Sequence, residues 1–263
     1  MSTARSPSLW SVSQWSTVLQ STILRCTNWK SVTVLQETDS TQDFARTLGP
    51  GEIVIAARQI AGRGRLGRSW LDTGDAGLAI SMNVATGSSE LLALSSAVAT
   101  AEAIEDVCRA SSGHAPITQL KWPNDVMIAK RKVGGILIER HDRVTTIGIG
   151  INCSQRGFPA QLAERATSLT LQGFEVDRIE VARALLMRFD YWLGATDEAI
   201  ESAFVVRDAL VGTCASFRTP DGMIEGMVLR IDPARGLVVR TSRGDQWLSA
   251  ATTSVFVPED RTE

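Results

Sequence analysis

ITQLKWPNDVMIAKRKVGGILIERHDRVTTIGIGIN, residues 117–152, holds three strand-like runs, Ile117 to Trp122, Val133 to Arg140 and Val144 to Asn152, with a further short run from Val126 to Ile128. Apolar and β-branched residues dominate each run, and turn formers bound them. The separators are short: Pro123-Asn124-Asp125, Ala129-Lys130-Arg131-Lys132 and His141-Asp142. A parallel return needs about a dozen residues, so strands joined this way are antiparallel neighbours. The segment therefore predicts a mixed or antiparallel sheet with flanking helices, an α+β fold, not a doubly wound one.

Upstream, Leu91, Leu94, Val98, Ala101, Ile104, Val107 and Cys108 recur at helical spacing between Ser89 and Ala110, which reads as a long helix backing the sheet. Ile53 to Ala57 and Val32, Val34 and Leu35 read as strands. Between them, Ser40 with Asp43 forms a capping-box pattern for a helix from Thr41 to about Leu48, stopped by Gly49-Pro50-Gly51. Trp10, Trp15, Leu19 and Ile23 fit one face of a short N-terminal helix.

Downstream, Asp177 with Glu180 opens a helix carrying Val181, Leu185, Phe189 and Trp192, and Thr196 to Leu210 continues helical. From Val211 the pattern changes to short alternating segments, Thr213 to Phe217, Met223 to Ile231, Gly236 to Thr241 and Gln246 to Ala250. Strands at about ten-residue spacing predict a small barrel. The division read here is 1–210, with 1–30 as an extension, and 211–263.

The 263 residues are 44% hydrophobic and 21% charged, which excludes wholesale disorder and suits one large domain or one large and one small. Lys plus Arg number 27 against 29 Asp plus Glu, a net charge of -2, so nothing global attracts nucleic acid or anionic lipid and any positive site is local. Cys26, Cys108, Cys153 and Cys214 are far apart, which argues against structural zinc. No apolar run resembles a signal peptide or a membrane span; the expected setting is the cytoplasm, with free thiols.

Gly62-Arg63-Gly64-Arg65-Leu66-Gly67-Arg68 is the most unusual segment. Its glycines allow close backbone approach and its guanidiniums suit carboxylate or phosphate oxygens, but taken alone the string reads first as a solvated basic loop or a nucleic-acid contact. It lacks both the Walker ending and the dinucleotide pattern. Lys121 is either a lysine reaching solvent or a partly buried cation at a strand end that needs an anion. Gly134-Gly135 and Gly148-Ile149-Gly150 mark either a close ligand or tight strand packing.

Taken in order, Asp39-Ser40-Thr41-Gln42, Gln59 through Trp70, Lys121-Trp122-Pro123-Asn124-Asp125, Lys132 through Glu139 and Gly148 through Asn152 resemble biotin protein ligases of the monofunctional type, over roughly residues 34 to 258. The resemblance implies a catalytic sheet like that of class II aminoacyl-tRNA synthetases and a C-terminal SH3-like barrel. It also implies an enzyme that joins biotin to ATP with magnesium, releases pyrophosphate, and transfers biotin from biotinyl-5′-AMP to a lysine of a biotin carboxyl carrier domain of a biotin-dependent carboxylase, such as an acyl-CoA carboxylase.

The same resemblance gives roles. Ser40, Thr41, Gln42 and Gln59 would hold the ring end of biotin. Arg63, Gly64 and Arg65 would close over the acyl phosphate, and Lys121 would bind the carboxylate and α-phosphate oxygens. Trp70 and Asn152 would lie near the nucleotide, and no protein metal ligand is implied. Leu66 departs from a basic residue common in relatives. Fewer than 40 residues precede Ser40, too few for the DNA-binding domain of repressor relatives, so no DNA is expected, no membrane, and a monomer or weak homodimer. The loop is expected to be mobile when empty, and no general base for the acceptor lysine is nominated. A lipoate or octanoyl transferase, or a non-catalytic biotin sensor or nucleic-acid module, is the competing reading.

Overall fold

Trp15, Leu19 and Ile23 line the buried face of the first helix, α1 (Val12–Ile23), in a computed structural model that describes residues 11–71, 74–86, 91–142, 144–232 and 236–256. Trp10 and Ser89 lie outside the described residues. β1 (Ser31–Thr38) and β2 (Glu52–Gln59) run parallel, joined through the short α2 (Thr41–Ala45). β3 (Gly77–Ala85) and α3 (Leu92–Ser112) precede β4 (Thr118–Lys121), β5 (Asp125–Ile128), β6 (Arg131–His141) and β7 (Val144–Asn152). The sheet order is β1-β2-β3-β7-β6-β5-β4, and every pair except β1–β2 is antiparallel, so the sheet is mixed as the short separators require.

A single turn, α4 (Ala160–Ala163), is followed by α5 (Arg178–Leu193) and α6 (Asp197–Val205). Leu78, Ile80 and Met82 of β3 and Ile147, Ile149 and Ile151 of β7 pack with Val98, Ala101 and Ile104 of α3 and Leu185 and Phe189 of α5. Burying each such large aliphatic side chain contributes about 1.5–3 kcal/mol. Between these core positions, β3 and β7 carry small residues: Ala79, Ser81, Gly148 and Gly150.

β8 (Cys214–Thr219), β9 (Gly222–Asp232), β10 (Gly236–Thr241), β11 (Gly244–Leu248) and β12 (Ser254–Phe256) form a second, fully antiparallel sheet in the order β11-β10-β9-β8-β12. This sheet suits the SH3-like reading. Its core of Phe217, Val228, Leu237, Val239 and Leu248 also takes in Leu210 and Trp122. Trp122 is 5% exposed, so the residue after Lys121 is anchored in the second sheet.

Several elements differ from the sequence reading. β3 was not anticipated, although Leu78, Ile80, Met82 and Val84 alternate strictly with smaller residues. α2 ends at Ala45, because the Asn83 side chain donates to the carbonyls of Ala45 at 2.7 Å and Leu48 at 3.1 Å and holds the chain away from a further helical turn. α6 ends at Val205: Leu120 donates to the Arg207 carbonyl and Ala209 donates back to Leu120, so 207–209 lies along the free edge of β4 instead. β12 is also additional. The β5–β6 turn is only Ala129-Lys130, both at positive φ (49° and 61°), which returns Arg131 and Lys132 to the strand.

Candidate active site

α2 presents its first residues to the sheet. Ser40 accepts a hydrogen bond from the Asp43 amide, while the Thr41 amide and hydroxyl both donate to Gln59 Oε1, at 2.8 and 3.0 Å. Ser81 Oγ donates to Thr41 Oγ1 at 2.9 Å and to Gln42 Oε1 at 3.2 Å, and Gln42 Nε2 donates to the Thr146 carbonyl. Gly148 leaves the space that Gln42 occupies. The result is a buried, uncharged, pre-ordered polar end, suited to a neutral ligand rich in hydrogen-bonding groups.

The opposite end is cationic. β5 and β6 carry a bulge: Gly135 faces Asp125 and Gly134 faces Val126, but Lys132 faces Met127, leaving Val133 as an extra residue. Simple alternation would put 132 and 135 on opposite faces; the bulge brings Lys132 onto the face of Gly135. Its ammonium lies 2.5 Å from Asp125 Oδ1 and 5.4 Å from the centre of the Trp70 ring. The Trp70 indole rests on Gly150, where a Cβ would come within 2.5 Å of it. Lys121 faces Asp125 across β4 and β5. Burial pulls its amine below the usual lysine range, with Lys132 and Arg165 adding to the fall and Asp125 opposing it. Such a group favours an arriving anion.

The glycine-arginine loop closes on itself through Arg63 and Ser69, through Gly64 donating to the Arg68 carbonyl, and through Trp70 donating to the Gly62 carbonyl. Arg65 Nη1 donates to Asn124 Oδ1 at 3.3 Å, and Nη2 donates to the carbonyls of Ala250 and Thr253. Burial lowers the Arg65 pKa from its ordinary value, yet a guanidinium so far above neutrality stays charged. Arg68 donates to Ser254 Oγ. Arg63 reaches the other way, to Asp43 at 2.8 Å and Glu139 at 2.9 Å, while its buried Nε makes no hydrogen bond among the described residues. Burial raises the Glu139 carboxyl, but hydrogen bonds from Arg46 and Gln42 and the charges of Arg63 and Arg46 outweigh it and leave the group below the usual carboxylate range.

One cavity of about 290 Å³ collects these parts. Ser40, Thr41, Gln42, Gln59, Arg63, Gly64, Arg65, Trp70, Lys121 and Asn152 all line it. Asn152 is held in its wall, donating to the Thr167 carbonyl at 3.0 Å and accepting from Gln155. Lys132, Asp125 and Ser81 also line it and were not singled out from sequence. The sequence reading puts Lys132 in a turn; the positive-φ pair ahead of it and the bulge behind it bring it inward.

Known proteins resemble this chain in sequence and in fold. Residues 26–155 match the model of the biotin/lipoate A/B protein ligase family. The chain is 34% identical over 231 residues to the bifunctional ligase/repressor BirA of Bacillus subtilis, covering 80% of this chain and 69% of that protein. It is 30% identical over 236 residues to the biotin--[acetyl-CoA-carboxylase] ligase of Paracoccus denitrificans, covering 83% of this chain and 98% of that one. The solved biotin protein ligase of Aquifex aeolicus, in complex with biotin and ATP, superposes with a TM-score of 0.76 at 28% identity, over 88% of this chain and all (100%) of the other.

Proposed function

The chain belongs to the biotin protein ligases of the biotin/lipoate A/B protein ligase family, and from that premise we propose the division of labour within its cavity. The activity is ATP-dependent attachment of biotin to protein through biotinyl-5′-AMP. A biotin carboxylate oxygen attacks the α-phosphorus of ATP, the new O–P bond forms as pyrophosphate leaves, and an acceptor lysine amine then attacks the acyl carbon and displaces AMP. Ligases of this family act on biotin carboxyl carrier domains of carboxylases. A carrier domain of an acyl-CoA carboxylase is the acceptor we infer here, and a monomer or weak homodimer is the working state.

The observation that carries the assignment is the polarity of the cavity, neutral and hydrogen-bonded at one end and cationic at the other. Ser40, Thr41, Gln42 and Gln59 take the ring end of biotin, which is neutral and rich in amide-like groups. That direction brings the biotin carboxylate toward Arg65, Lys121 and Lys132. The first step unites two anions, so fixed positive charge at the meeting point lowers its barrier. Each charge-assisted hydrogen bond contributes about 1.5–3 kcal/mol, so losing two slows the step about a thousandfold or more. Arg63 and Gly64 close the loop over the acyl phosphate, and Trp70 and Asn152 border the nucleotide.

The biotin carboxylate is ionised at neutral pH, so adenylation needs no side-chain base. Magnesium belongs to the ATP substrate and is held by its phosphates; among the described residues no three His, Cys, Asp or Glu side chains converge to bind it independently. Also among the described residues, no helix is long and apolar enough to cross a membrane. The cytoplasm is the compartment we infer. The C-terminal sheet, proposed as the separate unit 211–263, supports the site through Trp122 and through the carbonyls that hold Arg65.

The test is direct. Incubation with ATP, magnesium, biotin and a purified carrier domain should add the mass of one biotinyl group to a single acceptor lysine, with lipoate inert. Activity with lipoate but not biotin would overturn the substrate assignment. An undiminished rate in Lys121→Ala would overturn the role of the cationic end.

A further inference from the structure

Arg63 belongs to a closed square of charge that the sequence does not display. Arg63 Nη2 sits 2.8 Å from Asp43 Oδ1 and 2.9 Å from Glu139 Oε2. Arg46 pairs with the same two carboxylates, at 3.2 Å to Asp43 and 2.8 Å to Glu139. Asp43 and Arg46 come from α2 and its first following residue, and Glu139 from β6; Arg63 alone comes from the loop. Two carboxylates and one guanidinium leave the three framework residues with a net charge of -1, which Arg63 neutralises when the loop is seated.

We propose that Asp43, Arg46 and Glu139 form a socket that seats the glycine-arginine loop through Arg63, with Glu139 as the positioning residue that keeps the acyl adenylate closed off from water between the two steps. This inference rests on the ligase reading. Lifting Arg63 out would leave a carboxylate pair with one cation between them, so charge balance favours the seated loop once a ligand has drawn it down. Asp43 directly follows the Ser40-Thr41-Gln42 segment proposed for the biotin ring, so one short helix both borders the ligand and holds the loop.

The experiment compares two variants with opposite expected signs. Glu139→Gln keeps the side-chain shape but removes half of the negative charge that holds Arg63. The members are partly solvated and screened, so the expected effect is modest, about a fivefold rise in AMP released per acceptor biotinylated, as adenylate escapes and hydrolyses. Trypsin cleavage after Arg63, Arg65 and Arg68 should rise in parallel with biotin bound and no ATP present. Arg46→Gln removes the competing cation and leaves both carboxylates to Arg63, so its leak and its cleavage should stay at or below wild type. A leak in both variants would mean that the cluster only supports the local fold, and tight coupling in Glu139→Gln would mean that the loop is seated without it; either result overturns the proposal. The trypsin comparison needs no turnover. A wild-type chain that made no adenylate would therefore count against the ligase reading while the socket was still judged on its own.

Discussion

Gly135 and Gly150 face each other across β6 and β7, and a Cβ on either would meet the Trp70 indole, at 2.9 and 2.5 Å. Two residues along β7, a Cβ on Gly148 would strike the Gln42 side chain at the other end of the cavity. A single strand thus leaves room for one side chain at each substrate. Gly150→Ala should displace Trp70 and Gly148→Ala should displace Gln42. Overpacking costs about 1–3 kcal/mol, which is about five- to 150-fold in affinity. The loss should appear in the KM for ATP with Gly150→Ala and in the KM for biotin with Gly148→Ala, both measured by initial pyrophosphate release. Equal losses for both substrates in both variants would show that neither glycine is specific to its neighbour.

Much of this site was legible from residue order alone, because the glycine-arginine loop, the Ser40-Thr41-Gln42 segment and Lys121 each lie in a short contiguous motif. What escaped depended on register. Lys132 faces the cavity only because Val133 is bulged, and no alternation pattern written for a regular strand could place it there. The ends of α2 and α6 escaped for a tertiary reason: Asn83 and Leu120, distant in sequence, capture the backbone that local helix signals would have continued. β3 is different, since its alternating pattern is plain in the sequence and only its position among turn residues obscured it.

Trp122 links the two sheets, and its removal should be felt in both. Replacing a buried Trp by Ala costs about 3–5 kcal/mol. Trp122→Ala should therefore lower the urea midpoint and reduce adenylation together, since Lys121 is held by its neighbour. Trp122→Phe should recover most of the stability. A stable but inactive Trp122→Phe would show that the indole has a role beyond filling the C-terminal core.

The four thiols are unpaired and differ in environment. Burial pushes Cys108 and Cys153 up to about 12, and burial with the nearby Asp190 pushes Cys26 up to about 11, whereas Cys214 is exposed. The thiolate is the reactive form. At neutral pH a disulfide reagent should therefore titrate one thiol quickly in the folded protein and all four (Cys26, Cys108, Cys153 and Cys214) after denaturation. Rapid loss of a second thiol in the native state would show that one of these buried environments opens easily.

Lys121 should trade stability for function. Burial lowers its pKa from the ordinary lysine value of 10.5, and the cation at Lys132 lowers it further, against the pull of Asp125, whose carboxylate already holds Lys132. Between the folded and unfolded pKa values the unfolded chain binds more protons, so stability rises with pH across that window. Below the folded value the unfavourable burial of charge is present in full. Lys121→Met should accordingly melt higher than wild type at pH 7, and the gap should close as the pH approaches the ordinary lysine range. Its adenylation should fall by about ten- to a hundredfold, the scale set by losing one charge-assisted contact at the reacting oxygens. In the wild type, adenylation should decline on the alkaline side at a lower pH than an unperturbed lysine would give. Thermal melts at pH 7 and 10, paired with pyrophosphate release, check both halves. A Lys121→Met protein that melts lower at pH 7 would mean that the ammonium is already stabilised by the protein's own anions, and the lysine would then no longer count as a charge held in reserve for the carboxylate and phosphate of the substrates.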